Sequence, residues 1–315
     1  MKQIALFAGL MLFAACAFAQ FPNRPIRVVI PFAAGSSTDT IMRIITEPLT
    51  KALGQAVVID TKPGADTMIG GAEVVKARPD GYTLLIASGS QAAVPALRKS
   101  PPYDPIADFT PITDIGRYTL FLYVNPEVPA KTLRELIAYA KANPGKLNYA
   151  TSSVSNIVAT VQMNSIAEIN MAAVPYKGSP QAMLDLVAGR VQVMWDPPST
   201  GLAFVKDGRL RVLVTANPKP SSLLPDVPSI HESGMPQFIM PSWMGLVGPA
   251  NLPRDVVDRL NQDFVSVLKR PEVIAATERH AFTLTPSTPA QFGEFIKAQV
   301  EIHGRLLRGA GVQPQ

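Results

Sequence analysis

Short runs of β-branched and aromatic residues alternate with helix-patterned stretches along almost the whole chain, and this alternation limits the fold more than any other feature. Residues 26–32, 57–60, 82–87, 120–124, 147–150, 191–195 and 211–215 read as strands. Helices between them are announced by capping chemistry: Thr132 precedes Glu135 by three residues, Leu136, Ile137 and Ala140 follow on one face, and Asn143-Pro144-Gly145 stops the run. Such alternation predicts an α/β architecture with largely parallel sheets. Toward the end, Val256, Val257, Leu260, Phe264, Val267 and Leu268 form one helical stripe. A second capping box, Thr288 to Gln291, introduces Phe292, Phe295, Ile296 and Val300. Both helices are expected to pack on an existing sheet.

The first 19 residues read as an export signal: Lys2 supplies the positive n-region, residues 4–18 the apolar stretch, and Ala17-Phe18-Ala19 the small-x-small cleavage site. The expected location is periplasmic. A competing reading takes residues 12–16 as a lipoprotein box acylated at Cys16, against which Phe13 is bulky for the usual aliphatic position. Cys16 is the single cysteine, so cleavage after Ala19 leaves a protein that stabilises itself by its core without disulfides. About 300 residues then remain, enough for two medium lobes. No second apolar run approaches the roughly 20 residues of a membrane span.

Net charge is +5, or +4 without Lys2 (28 basic minus 24 acidic). The basic residues are scattered, with pairs such as Arg98-Lys99 the densest, and lack the clustering and interleaved aromatics of a nucleic-acid surface. A mild positive field favours small anions. The three histidines, His231, His280 and His303, are far apart with no metal-ligand spacing. There is no nucleophile elbow, Walker loop or dinucleotide fingerprint. Ser266-Val267-Leu268-Lys269 matches S-x-x-K formally, but two of its residues belong to an amphipathic stripe. No enzyme chemistry, metal or cofactor is nominated.

Four strand-to-helix junctions carry the chemistry instead. Residues 26–43 run from a buried-type strand through Ala33-Ala34-Gly35-Ser36-Ser37 into a helix. The strand at 82–87 empties into Ser88-Gly89-Ser90-Gln91, and that at 147–150 into Thr151-Ser152-Ser153-Val154-Ser155-Asn156. Val174-Pro175-Tyr176-Lys177-Gly178-Ser179-Pro180 precedes the helix containing Met183, Leu184 and Val187. The opening turn of a helix presents unpaired N–H groups and the positive end of its dipole, so each junction can hold an anion without a charged side chain. Any one of them also reads as ordinary Ser/Thr capping; four in one chain favour ligand binding at the carboxyl ends of the strands.

The chain from Phe21 onward resembles the solute receptors of tripartite tricarboxylate transporters, the family typified by the Bordetella uptake-gene receptors. The likeness is carried by Arg24-Pro25-Ile26, Pro31-Phe32, Gly35, Thr38-Asp39, Leu53-Gly54-Gln55, Lys62-Pro63-Gly64-Ala65, Pro79-Asp80-Gly81-Tyr82, Pro102-Tyr103-Asp104-Pro105, Pro144-Gly145-Lys146, Val174-Pro175-Tyr176-Lys177-Gly178, Leu224-Pro225-Asp226 and Trp243-Met244-Gly245. It implies a periplasmic-binding-protein type II fold, with two α/β lobes hinged around a ligand cleft. It also implies capture of a small carboxylate for a membrane permease, with no catalytic residues. By position, the family's ligand loops carry over to Phe32, Ala33, Gly35, Ser36, Ser37, Thr38 and Asp39, with Ser88, Ser90 and Gln91, in the first lobe. The facing lobe supplies Ser152, Ser153, Ser155, Asn156, Tyr176, Lys177, Gly178 and Asp196. Expected lobes are 20–123 with 241–315, and 124–240, with crossings near 123–129 and 237–243. The protein is expected to be monomeric.

The sequence departs from the family where selectivity is set. Pro31 to Asp39 replaces two prolines and two glycines by Ala and Ser; residues 152–159 lack the usual glycine and histidine; Trp195 and Pro197-Pro198 flank Asp196. These changes suggest a ligand with an apolar or aromatic body. Asp39 reads equally as a ligand-orienting group and as dipole complementation in a first helical turn, and Trp195 and Trp243 read as core. Two other readings stay open: a sensor of the same fold, and a periplasmic α/β enzyme using Asp39 or Asp196 as base.

Overall fold

The computed structural model describes residues 21–217, 220–221, 223–238, 242–309 and 312–314; the proposed signal and Cys16 lie outside them. Alternation of buried strands and capped helices produces two sheets. The first has the order β11-β4-β10-β3-β1-β2 and the second β7-β6-β8-β5-β9. The strands are β1 (Ile26–Ile30), β2 (Val57–Thr61), β3 (Thr83–Ser88), β4 (Phe109–Tyr118), β5 (Phe121–Val124), β6 (Asn148–Thr151), β7 (Ala172–Pro175), β8 (Val193–Asp196), β9 (Arg211–Thr215), β10 (Trp243–Pro249) and β11 (Phe282–Leu284).

Each sheet is covered on both faces. Val28 and Val29 are fully buried yet belong to different core clusters, because successive side chains of a strand point to opposite faces. Leu122 and Tyr123 divide likewise in the second sheet. The covering helices are α1 (Ser37–Leu53), α2 (Met68–Val75), α3 (Gly89–Leu97), α4 (Leu133–Ala142), α5 (Val154–Ala167), α6 (Ser179–Val187), α7 (Pro198–Lys206), α8 (Arg254–Leu268), α9 (Pro271–Glu278) and α10 (Pro289–Gly309). The two capping boxes form: Thr132 accepts from the Glu135 amide at 3.2 Å and Thr288 from the Gln291 amide at 3.3 Å. The stripe helix α8 packs on α1 and β4, and α10 on α3 and β4, so both return to the first sheet.

Two features differ from expectation. The sheets are mixed rather than largely parallel: β1 pairs in parallel with β2 and β3, and β6 with β7 and β8, but β10, β4, β11 and β5 run antiparallel to their neighbours. Strand direction is set by where the chain re-enters a sheet after visiting the other one, which a hydrophobic run does not encode. The first crossing also falls earlier than 123–129. β4 belongs to the first sheet and β5 to the second, so the change occurs at Thr119-Leu120. The second lies between β9 and β10, and residues 239–241 of it are outside those described. The two connections run side by side: the Tyr118 amide donates to the Ser242 carbonyl at 3.4 Å, and Asn217 Nδ2 to Thr119 Oγ1 at 2.8 Å. Adjacent crossings of this kind form a hinge.

Candidate functional site

The strand-to-helix junctions meet at one cleft of about 320 Å³ between the two sheets. From the first sheet come Phe32, Ala33, Ser36, Ser37 and Thr38, where β1 passes into α1, and Ser88, where β3 passes into α3. Ser152, Ser153, Ser155 and Asn156 at the start of α5, Tyr176, Lys177 and Gly178 before α6, and Asp196 at the end of β8 face them. Those fourteen expected residues are therefore brought together.

Gly35, Asp39, Ser90 and Gln91 are not among the lining residues. Asp39 supports the loop: one carboxylate oxygen accepts from the Gly35 amide at 2.9 Å and from Arg43 Nε at 3.0 Å. This holds Gly35 in a left-handed turn with φ of 76°. Ser36 caps α1, accepting from the Asp39 amide at 3.3 Å, so Ser37 and Thr38 present first-turn N–H groups. Ser90 Oγ accepts from the Val154 amide at 3.3 Å and so joins the two lobes rather than facing the cleft.

Several lining residues lay outside the sequence-derived set. Gly64, Ala65, Asp66 and Thr67 form a 3-10 turn after β2, a junction of the same build as the other four whose Pro-Gly opening disguises it as a plain loop. Tyr118, Leu120, Ser242 and Trp243 enter from the hinge, and no local signal marks them because they reach the cleft through crossings between lobes. Ser179 and Pro197 complete the second wall. Trp243 is both core and wall, 2% exposed yet lining the cleft, with its Nε1 unpaired among the described residues. Trp195, by contrast, is fully buried and stacks on Phe238 with ring centroids 5.5 Å apart, so it packs in the core, as its size suggested, and adds no aromatic surface beside Asp196. Phe32, Tyr118, Tyr176 and Trp243 supply the aromatic surface.

Uncharged groups dominate the electrostatics. Lys177 is exposed and, among the described residues, is the only cation in the lining; Asp66 pairs with Arg98 at 3.0 Å. Ser88 Oγ, at the start of α3, is buried without a partner among the described residues. Asp196 is 2% exposed, accepts from Ser179 Oγ at 2.9 Å and from Thr200 Oγ1, and burial pushes its carboxyl up to about 6. Asn156 is held by its own neighbours: Oδ1 accepts from the Ser152 amide at 3.0 Å and from Ser153 Oγ at 2.9 Å, and Nδ2 donates to the Trp195 carbonyl. Among the described residues no cluster of His, Cys, Asp and Glu could hold a metal, and no helix is long and apolar enough to cross a membrane.

The lobes touch across the cleft mouth. Ser37 Oγ lies 2.6 Å from Ser199 Oγ on the opposite side, while Thr38 Oγ1 lies 2.9 Å from the Tyr118 hydroxyl within the first lobe. A Cβ on Gly178 would stand 2.7 Å from that of Ala33.

A family model described as "Tripartite tricarboxylate transporter family receptor" matches residues 41–312. Protein BugT of Bordetella pertussis is 31% identical over 299 residues, covering 93% of this chain and 91% of that protein. Among solved structures, MatC from Rhodopseudomonas palustris with bound malate has a TM-score of 0.85 at 28% identity, covering 91% of this chain and all of that one. Rpa4515 from R. palustris, solved with adipate, has a TM-score of 0.89 at 28% identity, covering 94% of this chain and all of that one. The two sheets with the cleft between them form the type II periplasmic-binding-protein fold.

Proposed function

Since the chain belongs to the tripartite tricarboxylate transporter receptor family, we propose that it is a periplasmic receptor that closes on a small carboxylate and delivers it to the membrane subunits of such a transporter. The observation that carries this reading is the convergence of helix starts on one cleft. α1, α3, α5, α6 and α7, together with the turn before α2, all begin at residues that line it. Their first-turn N–H groups and dipoles favour an anion at about 0.3–1 kcal/mol each when exposed, and more when partly buried. Because these donors carry no net charge, an empty cleft strands no buried cation. The alternative, a row of arginines, is absent from the lining.

Size agrees with the chemistry. A cleft of about 320 Å³ falls at the small end of the roughly 300–1,000 Å³ range of small-molecule sites, which suits an acid of a few carbons. The bound forms of the two R. palustris proteins, malate and adipate, are acids of that size. Phe32, Leu120, Pro175, Pro197 and Trp243 would cover the ligand's carbon skeleton.

Calorimetry with the purified mature chain tests the reading. Malate, adipate or a related acid should bind with heat that saturates at one site, and should raise the melting temperature as mass action requires. Ser37→Phe should abolish both responses, because it fills the point where α1 meets Ser199, while leaving the far-UV circular dichroism unchanged. Silence across a panel of mono- and dicarboxylates would reject the receptor assignment, and an undiminished response in Ser37→Phe would move the site elsewhere.

A further inference from the structure

One corner of the second wall differs in hydrogen-bonding character from the helix starts that line the rest of the cleft. On the first-sheet side Ser37 and Thr38 present first-turn amides, and Ser88 Oγ has no partner among the described residues. Around Asp196 the donors are used up or missing. A carboxylate only accepts, so the single proton of Ser179 is directed to Asp196 Oδ1 and that of Thr200 to Oδ2. Ser152 Oγ lies 2.9 Å from Ser179 Oγ and 3.1 Å from Asn156 Oδ1. With Ser179 already donating, the Ser152 proton is spent on one of these two acceptors. The Ser152 amide donates to Asn156 Oδ1 and the Ser153 hydroxyl to the same oxygen. Helix α6 has proline at 180, and α7 opens on Pro197-Pro198, so three backbone positions beside Asp196 have no N–H at all. What the side-chain oxygens of Asp196, Ser179 and Ser152 turn to the cleft is therefore lone pairs.

We propose that Asp196 sets the hydrogen-bond polarity of its corner of the second wall, so that the cleft selects carboxylates bearing a hydroxyl or amine over the same acids without one. The inference rests on the carboxylate-receptor reading and narrows it to a ligand class. The carboxylate is held on the amide-rich side, and the ligand's own donor is satisfied at the Asp196–Ser179–Ser152 corner. An unsubstituted acid leaves that corner desolvated and unpaired, and a site built to accept from a ligand hydroxyl discriminates strongly against the analogue that lacks it. The groups that meet Asp196 are two hydroxyls and the Asn156 amide rather than a cation, so its negative charge further opposes a second carboxylate placed beside it.

The test is titration calorimetry of the purified mature chain with matched pairs: malate against succinate, and lactate against propionate. The hydroxylated member should bind about tenfold or more tightly in each pair that binds. Asp196→Asn, which provides an amide donor at the same place, and Ser179→Ala, which removes one oriented hydroxyl, should each narrow that ratio to within about twofold. A purely structural role would weaken both members of a pair alike and leave the ratio untouched; that result overturns the inference, as does equal affinity in the unmodified protein. Failure of all four acids to bind overturns this inference, and silence across the wider panel of mono- and dicarboxylates overturns the carboxylate reading as well. If one variant does not fold, the other and the unmodified ratio still decide.

Discussion

At the scale of single residues, the cleft depends on a few side chains whose protons are assigned by their neighbours. Asp39 and Asp196 both follow strands in sequence, yet one braces a loop through Gly35 and Arg43 while the other ends against the ligand space. Burial raises the Asp196 carboxyl to about 6, against roughly 3.9 in an unfolded chain. A raised carboxyl means that the folded state holds its proton more tightly. Its contribution is therefore fully present below about pH 4 and is lost as pH rises through about 6, a difference of about 3 kcal/mol by linkage. Asp196→Asn removes that loss. The melting temperature of the variant minus that of the parent should increase between pH 4 and pH 7 in ligand-free protein, by several degrees for a chain of this size. A difference that is flat or falls with pH would show that Asp196 is not strained by its burial.

At the scale of elements, the same unit recurs: a strand ends, a short loop of small residues turns, and a helix begins with its N-terminus toward the cleft. The junction at 31–39 differs from the family's usual glycines and prolines, and the serines have distinct duties here. Ser36 caps α1 and Ser37 reaches Ser199 on the opposite lobe. The junction before α6 is tighter still. Gly178 has an extended backbone with φ of −174°, so alanine suits it conformationally, but an added Cβ would meet Ala33 at 2.7 Å. Gly178→Ala should therefore obstruct closure rather than folding. We expect ligand affinity to fall about tenfold or more, in proportion to an overpacking cost of about 1–3 kcal/mol, with the ligand-free melting temperature nearly unchanged. Affinity equal to the parent's would mean that the loops do not approach this closely when ligand is bound.

At the scale of the whole molecule, closure is supported by an apolar seam as well as by polar contacts at the mouth. Val154 and Val158 of α5 pack with Ala93 and Leu97 of α3 and Leu307 of α10, joining the second lobe to the first. Burying one such side chain contributes about 1.5–3 kcal/mol, which is enough to bias a two-state equilibrium by tenfold or more. Val158→Asp should shift the ligand-free protein toward the open form. Small-angle scattering would register this as a larger radius of gyration that saturating malate, or whichever acid binds, pulls back. An unchanged radius in the ligand-free variant would assign the seam no part in closure.

Much of this was legible in the residues. The strand at 211–215 and the capping boxes at Thr132 and Thr288 follow from hydrogen bonds and burial patterns contained in a few consecutive positions, and so do the junctions that line the cleft. The strands β4, β7 and β10 escaped because their runs include prolines, glycines or charged residues that only pairing with a neighbour makes regular, and β11 because three residues are too short a run to read. Sequence alone thus determined an alternating α/β chain with several anion-suited helix starts. Only the tertiary structure decided strand direction, the place of the hinge, the entry of Tyr118 and Trp243 into the wall, and the withdrawal of Asp39 and Ser90 from it. The reason is separation along the chain: Ser37 meets Ser199 across 162 positions, and which protons face a ligand depends on such distant partners rather than on any local pattern.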